Sequence, residues 1–174
     1  EIRQEANYSG TRVNVVGLID GARCPVQVDV GYGDAVTPAP ESALYPVMFD
    51  DMPAPSLRVY PRYTVVAEKL EAIISLGMAN SRMKDYFDLQ VILRDAKLDR
   101  EILAQAVSAT LSRRGTNKPE AIPAGLSEQF SKDPQKNIQW NAFVKRNQLI
   151  AEPLSETVQF LRESLRFLFQ RDTT

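Results

Sequence analysis

The chain has 174 residues, of which 44% are hydrophobic, and a formal net charge of −1 at pH 7. This length allows one domain or a pair of small ones, while the near-zero net charge excludes a general electrostatic attraction to nucleic acid or membranes. One cysteine and no histidine exclude a disulfide framework, histidine catalysis and imidazole metal ligands, so any metal chemistry must use carboxylates and hard cations.

The first thirty residues predict an antiparallel meander. Ser9-Gly10 and Asp20-Gly21 are two-residue turn signals. Valines alternate with polar residues over 12–15 and again over 26–30, as expected for strands with one apolar face. Asp29 therefore lies on the polar side of a predicted strand, just before a glycine.

Strands are followed by helices along this chain, which favours an α+β fold with a C-terminal helical bundle. Residues 35–61 hold six of the eleven prolines, which predicts an extended connector with at most a short edge strand near 57–59. We expect sheet and connector in a domain spanning 1–61 and helices in one spanning 62–174. The hydrophobic period predicts helices near 64–76, 82–95, 99–113, 136–147 and 153–170, with a helical turn around 124–130.

The helix ends carry recognisable signals. We expect Thr64, then Asn80 or Ser81, and then Asp99 to cap the first three helices, since these side chains accept hydrogen bonds from free backbone N–H groups. Gly77 is expected to end the first helix, because glycine adopts the left-handed conformation at little cost.

Lys69 lies on the apolar side of the first predicted helix. At 100° per residue it falls between Leu76 and Ile73. An ammonium there costs several kcal/mol unless it is paired or reaches solvent, as an order of magnitude. Two interpretations stay open: a structural ion pair with Asp85 or Asp88, or a contact to a nucleotide phosphate.

The second predicted helix opens with Arg82, Lys84, Asp85 and Asp88. The two aspartates are three residues apart, so both project from one side of the helix. Together with Lys69 they predict a site for a phosphate and a metal ion, with Arg82, Lys84 and Asp88 binding substrate. The structural alternative is an ordinary pair between Lys84 and Asp88 in an acidic first turn.

Five segments, in order, resemble the AbiEii-type nucleotidyltransferase toxins, the enzymatic halves of abortive-infection and toxin–antitoxin pairs. The segments are QVDVGYGD at 27–34, AEKLEA at 67–72, NSRMKDYFDL at 80–89, RRGT at 113–116 and WNAF at 140–143. The resemblance implies a polymerase-β-like nucleotidyltransferase sheet followed by a helical region. It also implies a nucleoside triphosphate (NTP) substrate, Mg²⁺ or Mn²⁺, an antitoxin partner and, as in some relatives, tRNA as acceptor.

The resemblance also implies roles for individual residues. Asp29 corresponds to a catalytic strand carboxylate and metal ligand, Lys69 to the lysine that steadies the triphosphate, and Asp85 to the acid beside it, with Asp88 as its more structural companion. The family's opening Gly-Ser turn and Asp-x-Asp pair have no counterpart in the chain. Because Glu1 is not a methionine and the residues after it already resemble a strand, we expect an upstream segment to supply the missing metal ligands.

A catalytically inactive module that binds RNA or an antitoxin is the main alternative. The basic pairs at 113–114 and 145–146, with Trp140 and Phe143, suit RNA; equally, the aromatic rings can be core and the basic residues a solvated edge. A Mg²⁺-dependent nuclease is a third interpretation, although it has less use for Lys69. With one cysteine and no run near the ~20 apolar residues of a membrane span, we expect a cytoplasmic protein.

Overall fold

The computed structural model describes residues 10–169, and the chain separates into two compact units, Glu1–Ala35 and Val36–Thr174. The predicted boundary lay later, between residues 61 and 62. The proline-rich connector falls in the second unit, where the backbone N–H and C=O of Thr37 both bond to the hydroxyl of Thr64, each at 3.0 Å. A functional division into 1–61 and 62–174 stays a prediction.

The first unit contains a β-hairpin. Strands β1 (Gly10–Ile19) and β2 (Ala22–Gly31) pair antiparallel, and valines face valines across them, as in Val13 opposite Val28. The predicted turn is confirmed: Asp20 and Gly21 both have positive φ, 47° and 80°, as a tight hairpin turn requires. The strand expected before Ser9 lies outside the described residues.

The proline-rich connector contains more strand than predicted. Strands β3 (Glu41–Leu44) and β4 (Ser56–Val59) form a second antiparallel pair, whereas the sequence predicted at most one short strand. All of the prolines from Pro46 to Pro55 lie between the two strands, so neither strand loses a backbone donor to them.

Six helices follow among the described residues, and the α+β prediction is confirmed. The helices are α1 (Arg62–Leu76), α2 (Met83–Asp95), α3 (Arg100–Arg114), α4 (Glu128–Lys132), α5 (Pro134–Arg146) and α6 (Leu154–Leu165). Short 3₁₀ turns at Gly77–Ala79, Ala124–Leu126 and Arg166–Phe169 complete the set. None of the described helices combines the length and apolar character needed to cross a membrane.

The capping predictions fared unequally. Asp99 caps α3 by accepting from the backbone N–H groups of Glu101 and Ile102, and Gly77 ends α1 with a φ of 48°, as expected. The Thr64 prediction was wrong: α1 begins at Arg62, and the Thr64 hydroxyl is buried against Thr37. Proline is pre-set for a helix start, which explains why Pro61 precedes α1.

The second unit has one hydrophobic core. Tyr86 stacks on Phe130 with ring centroids 5.2 Å apart, and its hydroxyl donates to the backbone oxygen of Gly125 at 3.0 Å. This contact ties α2 to the segment before α4. The largest fully buried side chains are Trp140, Tyr86, Phe130, Leu70, Ile73, Leu89, Leu126, Leu154, Leu161, Leu165, Val66 and Val158.

Candidate functional site

Helices α1 and α2 bring Lys69 together with both aspartates of the second helix. The Lys69 Nζ atom lies 2.9 Å from Asp85 Oδ1 and 2.6 Å from Asp88 Oδ2. The lysine side chain is 17% exposed and the Asp85 side chain only 5%, so this is a largely buried ion pair. The i,i+3 spacing of the aspartates is what lets one ammonium contact both.

Two more cations surround this pair. Arg82 Nε lies 2.7 Å from Asp85 Oδ2, and Lys84 Nζ contacts Asp88 Oδ2. We call these five residues the Lys69 cluster. Three cations face two carboxylates, so the cluster has a net charge of +1.

Hydrogen bonding within the cluster shifts the pKa values of Lys69 and Asp88 in opposite directions. Burial alone would lower the pKa of Lys69, but its hydrogen bonds to Asp88 and Asp85 outweigh burial and raise it. Burial alone would raise the pKa of Asp88, but hydrogen bonds from Lys69 and Lys84 outweigh burial and lower it. Each partner therefore stabilises the charged form of the other.

Asn80 and Lys136 hold the start of α2 in place, and sequence reasoning missed Lys136. Asn80 is fully buried; its side-chain oxygen accepts from the backbone N–H of Arg82, and its backbone oxygen accepts from Lys136 Nζ, both at 2.8 Å. Lys136 is itself buried, with its ammonium 5.4 Å from the centre of the Phe130 ring. The prediction that Asn80 or Ser81 caps α2 was wrong, because Arg82 is the N-cap residue and no side chain caps this helix. Nothing in the sequence signals the partner of Asn80 on α5.

Asp29 lies on the hairpin of the first unit, opposite Arg12. Arg12 donates to both of its oxygens, Nε to Oδ1 at 2.7 Å and Nη2 to Oδ2 at 3.0 Å, and Gln27 donates to Oδ2 at 3.3 Å. The hydrogen bond from Arg12 is the largest cause of a lowered pKa at Asp29. Arg12 was not predicted; the cross-strand register would have identified it.

The described residues do not fit a divalent metal ion. Within residues 10–169 no group of three or more histidine, cysteine, aspartate or glutamate side chains could hold one. Asp85 and Asp88 share the ammonium of Lys69, which lies where a metal would have to bind, and Arg12 occupies both oxygens of Asp29. The donor set of the Lys69 cluster suits an anion.

The aromatic and basic segments divide between core and surface. Trp140 is buried and its indole N–H donates to the backbone oxygen of Glu152 at 3.0 Å, which matches the core interpretation. Phe143 is half-buried beside Trp140, with ring centroids 5.9 Å apart. Arg114 is not part of a solvated edge, because its guanidinium lies 2.7 Å from the buried Glu71 carboxylate. Lys145 and Arg146 are exposed in the last turn of α5.

Comparison with known proteins adds one finding. A family model described as "Nucleotidyl transferase AbiEii toxin, Type IV TA system" matches residues 1–169. No curated protein matches the chain, and no solved structure does. The matched span includes all five segments that carry the resemblance and every residue of the Lys69 cluster.

Proposed function

Because this chain belongs to the AbiEii nucleotidyl transferase toxin family, we propose that its Lys69 cluster binds the triphosphate of an NTP during nucleotide transfer to an acceptor. The observation that carries this proposal is the buried ammonium held between two carboxylates, with two exposed cations beside it. An ammonium has three protons, and the aspartates accept two from Lys69, which leaves one for a phosphate oxygen.

In this proposal the cluster positions the triphosphate. Asp85 and Asp88 fix the Lys69 ammonium, while Arg82 and Lys84 can turn toward phosphate oxygens because their side chains are 48% and 71% exposed. The acceptor hydroxyl then loses its proton to solvent, and its oxygen forms a bond to the α-phosphorus as the bond to pyrophosphate breaks. The cations offset the charge that develops on the leaving pyrophosphate, a preorganised electrostatic contribution.

The family also implies further components. Membership in a type IV toxin–antitoxin family implies an antitoxin partner and an NTP substrate; tRNA as acceptor and a cytoplasmic location are part of our proposal. Family chemistry generally uses a divalent metal, here Mg²⁺ or Mn²⁺, but no step of the proposal passes through it. Asp29 as its ligand stays a prediction, since Arg12 would first have to release that carboxylate.

One observation favours a second candidate function. The lack of a metal-holding set among residues 10–169 is expected of a catalytically inactive module that binds RNA or an antitoxin. Incubating the protein with each radiolabelled NTP and total tRNA separates the candidates. Label entering tRNA supports transfer, shortened tRNA supports a Mg²⁺-dependent nuclease, and RNA or antitoxin binding with neither supports the inactive module.

The phosphate-binding role is tested with the exposed cations. Replacing Lys69 leaves Asp85 buried without its main partner, so Lys69→Met endangers the fold. Arg82→Met and Lys84→Met avoid this problem, and each should weaken NTP binding about tenfold, measured by calorimetry, because a charge-assisted hydrogen bond is lost. Lys97→Met, an exposed lysine outside the cluster, is the control. Unchanged affinity in both cluster variants would refute the role.

The catalytic assignments need a transfer assay. Lys69→Ala and Asp85→Ala should each reduce label incorporation to background, because the triphosphate loses its positioned ammonium. Circular dichroism must show that each variant is folded at the assay temperature. Wild-type incorporation by a folded variant would exclude the role assigned to that residue.

A further inference from the structure

A shallow groove adjoins the Lys69 cluster, and its apolar part has no role in triphosphate binding. It lies between the start of α2 and the middle of α5, and its apolar part consists of Met83, Ala142 and Phe143. Arg82, Lys84 and Asp85 line the same groove, so the cluster and the apolar surface are continuous. A ligand with an anionic end and a flat apolar end matches a charged cluster that continues into an apolar groove.

The groove also contains polar atoms without hydrogen-bond partners. Among the described residues, only four buried side-chain nitrogen or oxygen atoms have none, and two of these belong to groove residues, Gln139 Oε1 and Asp85 Oδ2. Asp85 Oδ2 is nevertheless ion-paired with Arg82 Nε at 2.7 Å, so of these two atoms Gln139 Oε1 is the one that lacks a partner. Buried polar atoms in native proteins are normally paired, so the amide of Gln139 indicates a missing partner.

Gln139 and Phe143 offer the two interactions that recognise a nucleobase. Every base has a π-face that stacks on an aromatic ring, and the edges of bases carry N–H donors and acceptors that pair with a side-chain amide. Phe143 contacts the rings of Trp140 and Phe87, at 5.9 and 6.1 Å between centroids, which holds its own ring in position. The amide of Gln139 serves whichever of its ends faces the ligand.

We propose that this groove binds the nucleobase of the NTP whose triphosphate lies at the Lys69 cluster. The inference rests on the proposed function and adds the part of the substrate that the cluster does not contact. Gln139 pairs with the edge of the base, Phe143 stacks on its face, and Ala142 leaves room for it.

The test compares NTPs with inorganic triphosphate, because triphosphate can occupy the cluster but has no base to place in the groove. Calorimetry on the whole protein with ATP, CTP, GTP, UTP and inorganic triphosphate should show at least one NTP binding about tenfold tighter than triphosphate, in line with the value of one stacked base. Ala142→Trp fills the groove from an exposed position and should remove this advantage, leaving triphosphate affinity within about twofold of wild type. Gln139→Leu should remove part of it.

Asn141→Trp is the matched control, an equally bulky change at the neighbouring exposed position that does not line the groove. It should change neither affinity. If no NTP binds tighter than triphosphate, or if Ala142→Trp binds NTP as wild type does, the groove proposal is overturned while the phosphate-binding role stands. If wild type binds neither ligand, the proposed function itself fails.

Discussion

At the scale of single residues, Lys69 shows how a charge is kept inside an apolar helix face. Its ammonium is paired with two carboxylates from the next helix, and these in turn contact two exposed cations. The structure shows the structural ion pair, and the phosphate site that we propose uses the same atoms. A positioned, partly satisfied ammonium is both stable and ready to bind an anion.

Asp88 makes the free energy of unfolding depend on pH in the acidic range. Its pKa in the folded state lies below the ordinary value of 3.8, so the carboxylate stabilises the fold above that pH and the contribution is lost as pH falls through the lower folded value. Asp88→Asn should lower the free energy of unfolding by about 1–2 kcal/mol at pH 7, because Lys69 and Lys84 each lose a charged partner. Urea unfolding from pH 7 down to pH 2 should show this difference shrinking below pH 4; a constant difference would contradict the assignment.

At the scale of elements, one buried carboxylate joins α1 to the end of α3. Glu71 accepts from Arg114 Nη1 at 2.7 Å and from the Thr116 hydroxyl at 2.6 Å. The RRGT segment at 113–116, which carries part of the family resemblance, thus has a structural role: it binds the Glu71 carboxylate. Helix α3 ends at Arg114, and Gly115 with its φ of 67° turns the chain so that Thr116 reaches the same carboxylate.

Removing Arg114 should therefore weaken the attachment of the end of α3 to α1. Arg114→Met should lower the free energy of unfolding by about 3–5 kcal/mol, because Glu71 is left buried without its counter-charge. Denaturant unfolding measures the loss, and Glu71→Gln in the same chain should restore part of it. Lys118→Met, at an exposed position nearby, is the control and should change stability by about 0.5 kcal/mol or less. If Arg114→Met lowered the free energy of unfolding by no more than the Lys118→Met control, the pair of Arg114 and Glu71 would not be what joins the helices.

At the scale of the whole molecule, Gly125 allows three segments to meet. A methyl group on it would lie 2.8 Å from both Ile73 Cγ2 and the Ile73 backbone oxygen, and 3.1 Å from the Tyr86 hydroxyl. The segment before α4 can therefore lie against α1 and α2 only because this residue has no side chain.

Gly125→Ala should lower the free energy of unfolding by about 1–3 kcal/mol, since a backbone oxygen cannot move aside as a flexible side chain can. Thermal unfolding should show the corresponding drop in midpoint. Ala121→Ser, an exposed neighbour in the same segment, should leave the midpoint nearly unchanged. A Gly125→Ala protein as stable as wild type would mean that the close packing can relax freely.

Local signals predicted the elements well where neighbouring residues decide them. Asp20-Gly21 and Asp99 act through backbone groups within a few residues, so the hairpin turn and the α3 cap follow from the sequence. Thr64 failed as a cap because its hydroxyl bonds to Thr37, which is distant along the chain. Strand β3 was missed for the same reason, since its partner β4 is what makes it a strand.

The sequence by itself determined the α+β order, the main helices, the family and the presence of Lys69 on an apolar face, because periodicity and motif spacing are local properties. Only the tertiary structure decided which carboxylates Lys69 contacts and that Lys136 and Gln139 border the same helix start. Those outcomes depend on how α2 packs on α1 and α5, where the burial of apolar side chains sets the positions and the polar atoms must then find partners.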